Sequence, residues 1–103
     1  MQPSKIEPDW LVESVKSFEL ADAMRLALSY AGLSEADMKR LLARPPTPKA
    51  LAEWDSFARQ ALPGDVLWYF HSPKSTWDEL AGRAGFVIIR NGTPVAAIVT
   101  MLS

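Results

Sequence analysis

The chain has no cysteine and only one histidine among its 103 residues. Without cysteine there can be no disulfide framework, no thiolate metal site and no cysteine nucleophile. The single histidine, His71, excludes metal sites that are built from several histidines. The sequence therefore predicts no metal and no cofactor.

An excess of charge of one sign is also missing. Eleven basic and twelve acidic side chains give a formal net charge of -1. Nucleic-acid binders usually carry a basic patch, so this balance disfavours a nucleic acid as the partner. The chain has one basic run, made by Lys39, Arg40, Arg44 and Lys49. These side chains could contact a phosphate backbone, but cations near a helix C-terminus, where they complement the helix dipole, are the more ordinary interpretation.

Long apolar stretches are absent as well. The longest run, Val95 to Val99, is far shorter than the roughly 18 residues of a membrane span. The N-terminus also lacks the apolar run of about 7–15 residues that a signal peptide needs. The sequence therefore predicts no membrane association and a cytoplasmic location. With 49% apolar and 22% charged residues, residues 1–103 are typical of one globular domain.

The N-terminal half predicts helices. Residues 1–8 read as a loose arm that Ile6 and Trp10 could pin to the body. The pattern over residues 9–31 is helical with a break near Ser17, and a short edge strand over residues 10–15 is the alternative.

Two further helices have clear starts. Ser34 begins a helix over residues 35–43 in a motif that resembles a capping box. Thr47-Pro48 begins the next, because threonine is a good N-cap and proline suits the first helical position. Its predicted buried stripe is Leu51, Trp54, Phe57, Ala58 and Leu62.

The C-terminal half predicts strands. Asn91-Gly92 is a strong signal for a type I′ hairpin turn. Residues 77–81 predict a short helical turn and residues 82–85 a flexible link. The predicted strands are residues 66–71, 86–90 and 95–102. The predicted fold class is α+β, with N-terminal helices packed on a C-terminal three-stranded antiparallel meander and the possible extra edge strand at residues 10–15.

The last strand is apolar on both faces, since Val95, Ala97 and Val99 alternate with Ala96 and Ile98, which are equally apolar. An antiparallel sheet with one solvated face normally shows polar alternation. Either helices cover both faces, or a partner covers one of them. The second possibility would make the protein a homodimer or give it a docking surface.

Aromatic side chains gather around one predicted loop. Trp68, Tyr69, His71 and Trp77 lie there, and Arg83 follows between two glycines. Aromatic residues are enriched at interfaces, although each of these could equally belong to the core. Arg83 could hold an anion or pair with a nearby carboxylate. These five residues are the predicted binding site.

No catalytic residue is predicted. His71 and Ser72 are adjacent, so on an extended segment their side chains point to opposite faces. The surrounding sequence does not contain the nucleophile elbow of a hydrolase.

The segment Gly64-Asp65-x-Leu67-Trp68-x-Phe70-x-Ser72-Pro73, with Trp77, Leu80-Ala81-Gly82-Arg83 and Gly85 after it, resembles a group of small bacterial proteins with no assigned activity. The likeness covers about 22 residues and the hairpin behind them. It implies a compact, single-domain bacterial protein, and it assigns a role to none of these residues.

Two functional hypotheses follow. The first is a non-enzymatic protein–protein interaction module, such as a toxin-neutralising protein or an adaptor, whose partner is another protein or a second copy. The alternative is a small ligand-binding or hydrolytic domain that uses the loop at residues 71–85.

Overall fold

The computed structural model describes residues 1–102 and has an α+β architecture. The predicted fold class is confirmed at this level. Two short 3-10 turns, Pro3–Lys5 and Pro8–Trp10, precede the main elements. In chain order these elements are β1 Leu11–Val15, α1 Leu20–Ser29, α2 Glu35–Leu42, α3 Pro48–Ala58, β2 Val66–His71, α4 Lys74–Asp78, β3 Arg83–Arg90 and β4 Thr93–Leu102.

The sheet has four strands, not three. All neighbours are antiparallel, in the order β1-β2-β3-β4. The fourth strand is β1, which occupies the place of the possible edge strand, so the helical interpretation of residues 9–16 was wrong. In β1, Leu11 lies opposite Phe70 and Val15 opposite Leu67. These pairings with β2 are long-range, and they override the local helical pattern.

Both predicted helix starts are confirmed. The Ser34 hydroxyl accepts a hydrogen bond from the Asp37 N–H at 3.2 Å, and the Thr47 hydroxyl accepts one from the Ala50 N–H at 3.1 Å. The predicted stripe of α3 was too long, however. The helix ends at Ala58, and both Leu51 and Leu62 are exposed.

Helices α1 and α3 cover one face of the sheet, which we call the inner face. Trp54 is buried there, and its indole N–H donates to the Phe18 carbonyl at 2.8 Å. Its ring meets the ring of Phe86 edge-on, with centroids 5.5 Å apart. Such edge-to-face contacts are a preferred arrangement of aromatic rings in cores. The remaining buried members of this core are Ala23, Phe57, Leu67, Tyr69, Ala84, Ile88 and Ala96.

The N-terminal segment covers part of the opposite, outer face. Ile6 is 4% exposed and packs with Phe70 and Val87. Trp10 and Leu11 pack against the same cluster. The segment predicted as a loose arm thus lies on the sheet, with both of its predicted anchors in contact. The two apolar faces of the last strand are therefore covered differently, one by helices and the other in part by this arm.

An ion pair holds the turn end of the β3–β4 hairpin, where Arg90 lies opposite Thr93. The Arg90 guanidinium donates to both carboxylate oxygens of Asp65, at 2.9 and 2.8 Å, and the Leu62 N–H adds a third bond at 2.8 Å. The hydrogen bond from Arg90, and then that from Leu62, hold the pKa of Asp65 below its usual value. Beyond it, Asn91 and Gly92 have φ angles of 51° and 79°, as the predicted type I′ turn requires.

The ionisation of Asp65 makes the free energy of unfolding vary with pH in the acid range. A lowered folded-state pKa means that the carboxylate stabilises the native state fully above its unfolded pKa of about 3.9. This contribution is lost as the pH falls through the lower folded pKa. We expect Asp65→Asn to be less stable than the wild type at neutral pH, with the difference shrinking in acid. Urea unfolding from pH 7 to pH 2 measures this, with Asp55→Asn, an exposed carboxylate, as the control. A constant difference across that range would contradict the assignment.

Candidate interaction surface

The loop after β2 is organised around Ser72, which is 1% exposed. Its hydroxyl accepts from the Arg83 N–H at 2.9 Å and shares a 2.6 Å hydrogen bond with the Thr76 hydroxyl. The Ser72 N–H in turn donates to the Arg83 carbonyl at 2.9 Å. These bonds draw the chain into β3 from Arg83 onward. The flexible link predicted at residues 82–85 was therefore wrong.

His71 and Trp77 close this loop. Their rings are stacked, with centroids 4.9 Å apart. The indole N–H of Trp77 lies 3.2 Å from the Ser72 carbonyl, and His71 Nδ1 lies 2.8 Å from the same oxygen. Because a carbonyl only accepts, Nδ1 carries the proton in this contact. The Trp77 ring also lies so close to Gly82 that a Cβ there would be 2.2 Å from it.

The five predicted binding residues do not form one site. His71 and Trp77 are in contact, as just described. Tyr69 is buried on the inner face, where its ring stacks on that of Tyr30. Trp68 is half-buried and packs with the outer-face cluster. Arg83 lies across from Ser72, which places it on the outer side, away from His71.

Arg83 lines a cavity of about 770 Å³ together with Lys5 and Glu7 from the arm and with Trp10, which follows the arm. Its guanidinium donates to the Gly82 carbonyl at 2.9 Å. Asp78, one of the carboxylates that could have paired with it, is bound by Lys74 at 2.9 Å. Arg83 therefore braces its own loop, beside the arm.

The basic run is partly paired. Arg40 contacts Asp37, and Lys49 lies 4.0 Å from Glu53. Both pairs are exposed and lie within single helices, the kind of contact that decorates a solvated helix surface.

Sequence reasoning missed a group of exposed apolar side chains at one end of the sheet, where β2 and β4 end and β3 begins. Leu80 is 79% exposed and has a φ of 60°, a left-handed backbone conformation. Met101 and Leu102 lie opposite Ala84 and Arg83 at the start of β3. Successive strand residues alternate between faces, so Met101 lies on the inner side and Leu102 on the outer side, where Leu102 and Met1 line the cavity beside Arg83. We call this end of the sheet, with its four exposed side chains Met1, Leu80, Met101 and Leu102, the apolar end. The uncharged tail of β4 was a signal for it, whereas nothing in the sequence marks the conformation of Leu80.

The sequence analysis also did not identify the unpaired edge of β4. This strand pairs with β3 on one side, and within residues 1–102 neither a strand nor a backbone hydrogen bond from a loop reaches its other side. It runs for ten residues without a charged side chain. The other edge strand, β1, has five residues, contains Glu13 and is bulged between Leu11 and Glu13.

The chain matches no protein-family model, no curated protein and no solved structure. Among the residues that the structure describes, no helix has the length and apolar character of a membrane span. Across the same residues, no three histidine or acidic side chains come together as they would to hold a metal ion.

Proposed function

We propose that the protein is a non-enzymatic protein–protein interaction module that binds its partner through the apolar end. The single observation that carries this proposal is Leu80, an apolar side chain held in solvent by a left-handed backbone.

The conformation of Leu80 is costly. A left-handed residue with a Cβ is destabilised by roughly 1–2 kcal/mol, and glycine or asparagine would fit the position with less strain. Hydrogen bonds from the Leu80 N–H to the Trp77 carbonyl and from the Ala81 N–H to the Thr76 carbonyl hold the turn in place. Strain of this kind is typical of binding sites. An exposed leucine at such a position is better suited to fill a partner's apolar pocket than to stabilise its own chain.

The neighbouring polar groups favour binding over catalysis. The Ser72 hydroxyl bonds to Thr76 and to the Arg83 backbone. His71 Nδ1 is hydrogen-bonded to the Ser72 carbonyl, and the face of the imidazole ring stacks on Trp77. A general base must lie within hydrogen-bond reach of the proton that it abstracts, and the Ser72 hydroxyl already has two other partners. A partner with an apolar pocket, such as a toxin or a scaffold protein, suits this surface better than a hydrolytic substrate.

Leu80→Asn separates binding from folding. Asparagine tolerates a left-handed backbone and removes the exposed apolar side chain, so we expect this variant to be as stable as the wild type or more so, by up to about 1 kcal/mol. At the same time we expect it to lose most of its partner binding. Chemical unfolding measures the first effect. Affinity capture from a lysate of the source organism, with bound protein quantified against wild-type bait, measures the second.

Leu62→Asn is the matched control, since Leu62 is also an exposed leucine but lies after α3. It should retain the partners that the wild type captures. Equal capture by Leu80→Asn and the wild type would rule out the apolar end as the binding surface.

A further inference from the structure

The cavity beside Arg83 lies between the arm and the outer face of the sheet. Its volume of about 770 Å³ falls within the range of roughly 300–1,000 Å³ that is common for small-molecule sites. The sheet contributes Arg83 at the start of β3 and Leu102 directly opposite it on β4. The arm contributes Lys5 and Glu7. The cavity is thus large enough for a small molecule and presents both charged and apolar groups to it.

Two cations line this cavity without a carboxylate partner. The ion pairs within residues 1–102 include neither Lys5 nor Arg83. Glu7 lines the cavity as well, but its carboxylate lies beyond ion-pair distance of both cations. Two positive charges against one negative leave an excess of one positive charge, which attracts an anion. A carboxylate, with a single negative charge, matches this excess better than a phosphate monoester, which carries nearly two.

Arg83 is held in position for such an anion. Its backbone N–H donates to the Ser72 hydroxyl and its carbonyl accepts from the Ser72 N–H, both at 2.9 Å. The guanidinium donates to the Gly82 carbonyl at 2.9 Å. A guanidinium has five N–H donors, so this bond leaves others for a carboxylate. A group that is already positioned loses little conformational entropy when a ligand binds.

Apolar side chains line much of the remaining cavity. Met1 and Leu102 are exposed there, and Trp10 and Val99 are half-buried. A ligand with an apolar body would remove this surface from water, which stabilises the complex. An anion without such a body would leave it uncovered.

We infer that the cavity binds a small amphipathic carboxylate. Its carboxylate group contacts Arg83 and Lys5, and its apolar body covers Leu102, Val99 and Trp10. This inference goes beyond the proposed function, because it assigns a small ligand to the outer side of the sheet, whereas Leu80 serves a protein partner.

The test uses octanoate as the probe, in isothermal titration calorimetry with the full chain. Octanoate should bind saturably with one molecule per chain. Octanol and octylamine have the same alkyl chain without the negative charge, and each should bind at least about tenfold more weakly, since a hydrogen bond between charged groups is lost. Acetate has the charge without the apolar body and should also bind more weakly than octanoate.

Arg83→Gln and Lys5→Gln each remove one cation from the cavity. We expect Arg83→Gln to weaken octanoate binding about tenfold or more. Lys5→Gln should weaken it about two- to fivefold, because the Lys5 side chain is exposed and exposed ion pairs contribute less. Lys39→Gln removes an exposed cation of α2 and is the charge-matched control, which should bind octanoate as the wild type does.

The inference would be overturned by an absence of saturable octanoate binding, or by octanol binding as tightly as octanoate. Wild-type affinity in both Arg83→Gln and Lys5→Gln would overturn it as well. Circular dichroism establishes that each variant is folded, and Lys5→Gln decides the question should Arg83→Gln fail to fold. Leu80→Asn should bind octanoate normally, because the turn before β3 reaches the cavity through Ala81. A failure of the proposed function and a failure of this inference therefore give different results.

Discussion

Replacing Gly85 by alanine is expected to destabilise the protein by about 3 kcal/mol or more, the upper range for overpacking a core. Gly85 lies in β3 against β4, and a Cβ placed on it would be 2.0 Å from the carbonyl oxygen of Ile98. That neighbour is backbone and belongs to a paired strand, so it cannot rotate away as a side chain would. The two strands must separate locally or their register must change.

Urea unfolding of Gly85→Ala at neutral pH measures this loss, with Gly92→Ala as the control. Gly92 has a φ of 79° but open space around it. The control therefore reports the strain of a left-handed alanine alone, about 1 kcal/mol. If the two variants lost the same stability, the close approach of β3 and β4 at Gly85 would be refuted.

The second large effect is expected at the arm. Ile6→Ala should destabilise the protein by about 3 kcal/mol, within the range for a buried isoleucine. Ile6 packs with Phe70 and Val87, so the truncation leaves a cavity between the arm and the outer face of the sheet. Urea unfolding measures this loss too.

Ile6→Val should lose only about 1 kcal/mol, since it removes a single methylene group. Leu51→Ala, at an exposed position of α3, should lie within about 0.5 kcal/mol of the wild type. If Ile6→Ala unfolded at the same urea concentration as the wild type, the arm would be loose in solution, as the sequence predicts.

The sequence predicts this fold well where local signals are strong. Ser34 and Thr47 bond to the helix N–H groups that their positions imply, and Asn91-Gly92 forms the expected turn. The errors have long-range causes. β1 is a strand because it pairs with β2, and residues 83–85 are extended because Ser72 binds Arg83. Neither partner is a neighbour in the sequence.

The candidate surface was harder to predict than the fold. Aromatic content pointed to the loop after β2, yet His71 and Trp77 bond to the Ser72 carbonyl and brace that loop. Leu80 was missed as a candidate binding residue because its role rests on its left-handed backbone conformation. That conformation depends on the hydrogen bonds of the turn around it. The open edge of β4 follows from the strand order, which composition and periodicity do not specify.

The placement of the arm also orders events during synthesis. Ile6 leaves the ribosome early, whereas Val87, which it packs against, is made much later. The β2–β3–β4 meander joins neighbouring segments and can form as soon as they are available, because short loops close at little entropic cost. The arm and β1 have no surface to dock on until that meander exists. The arm is thus made well before the surface on which it docks.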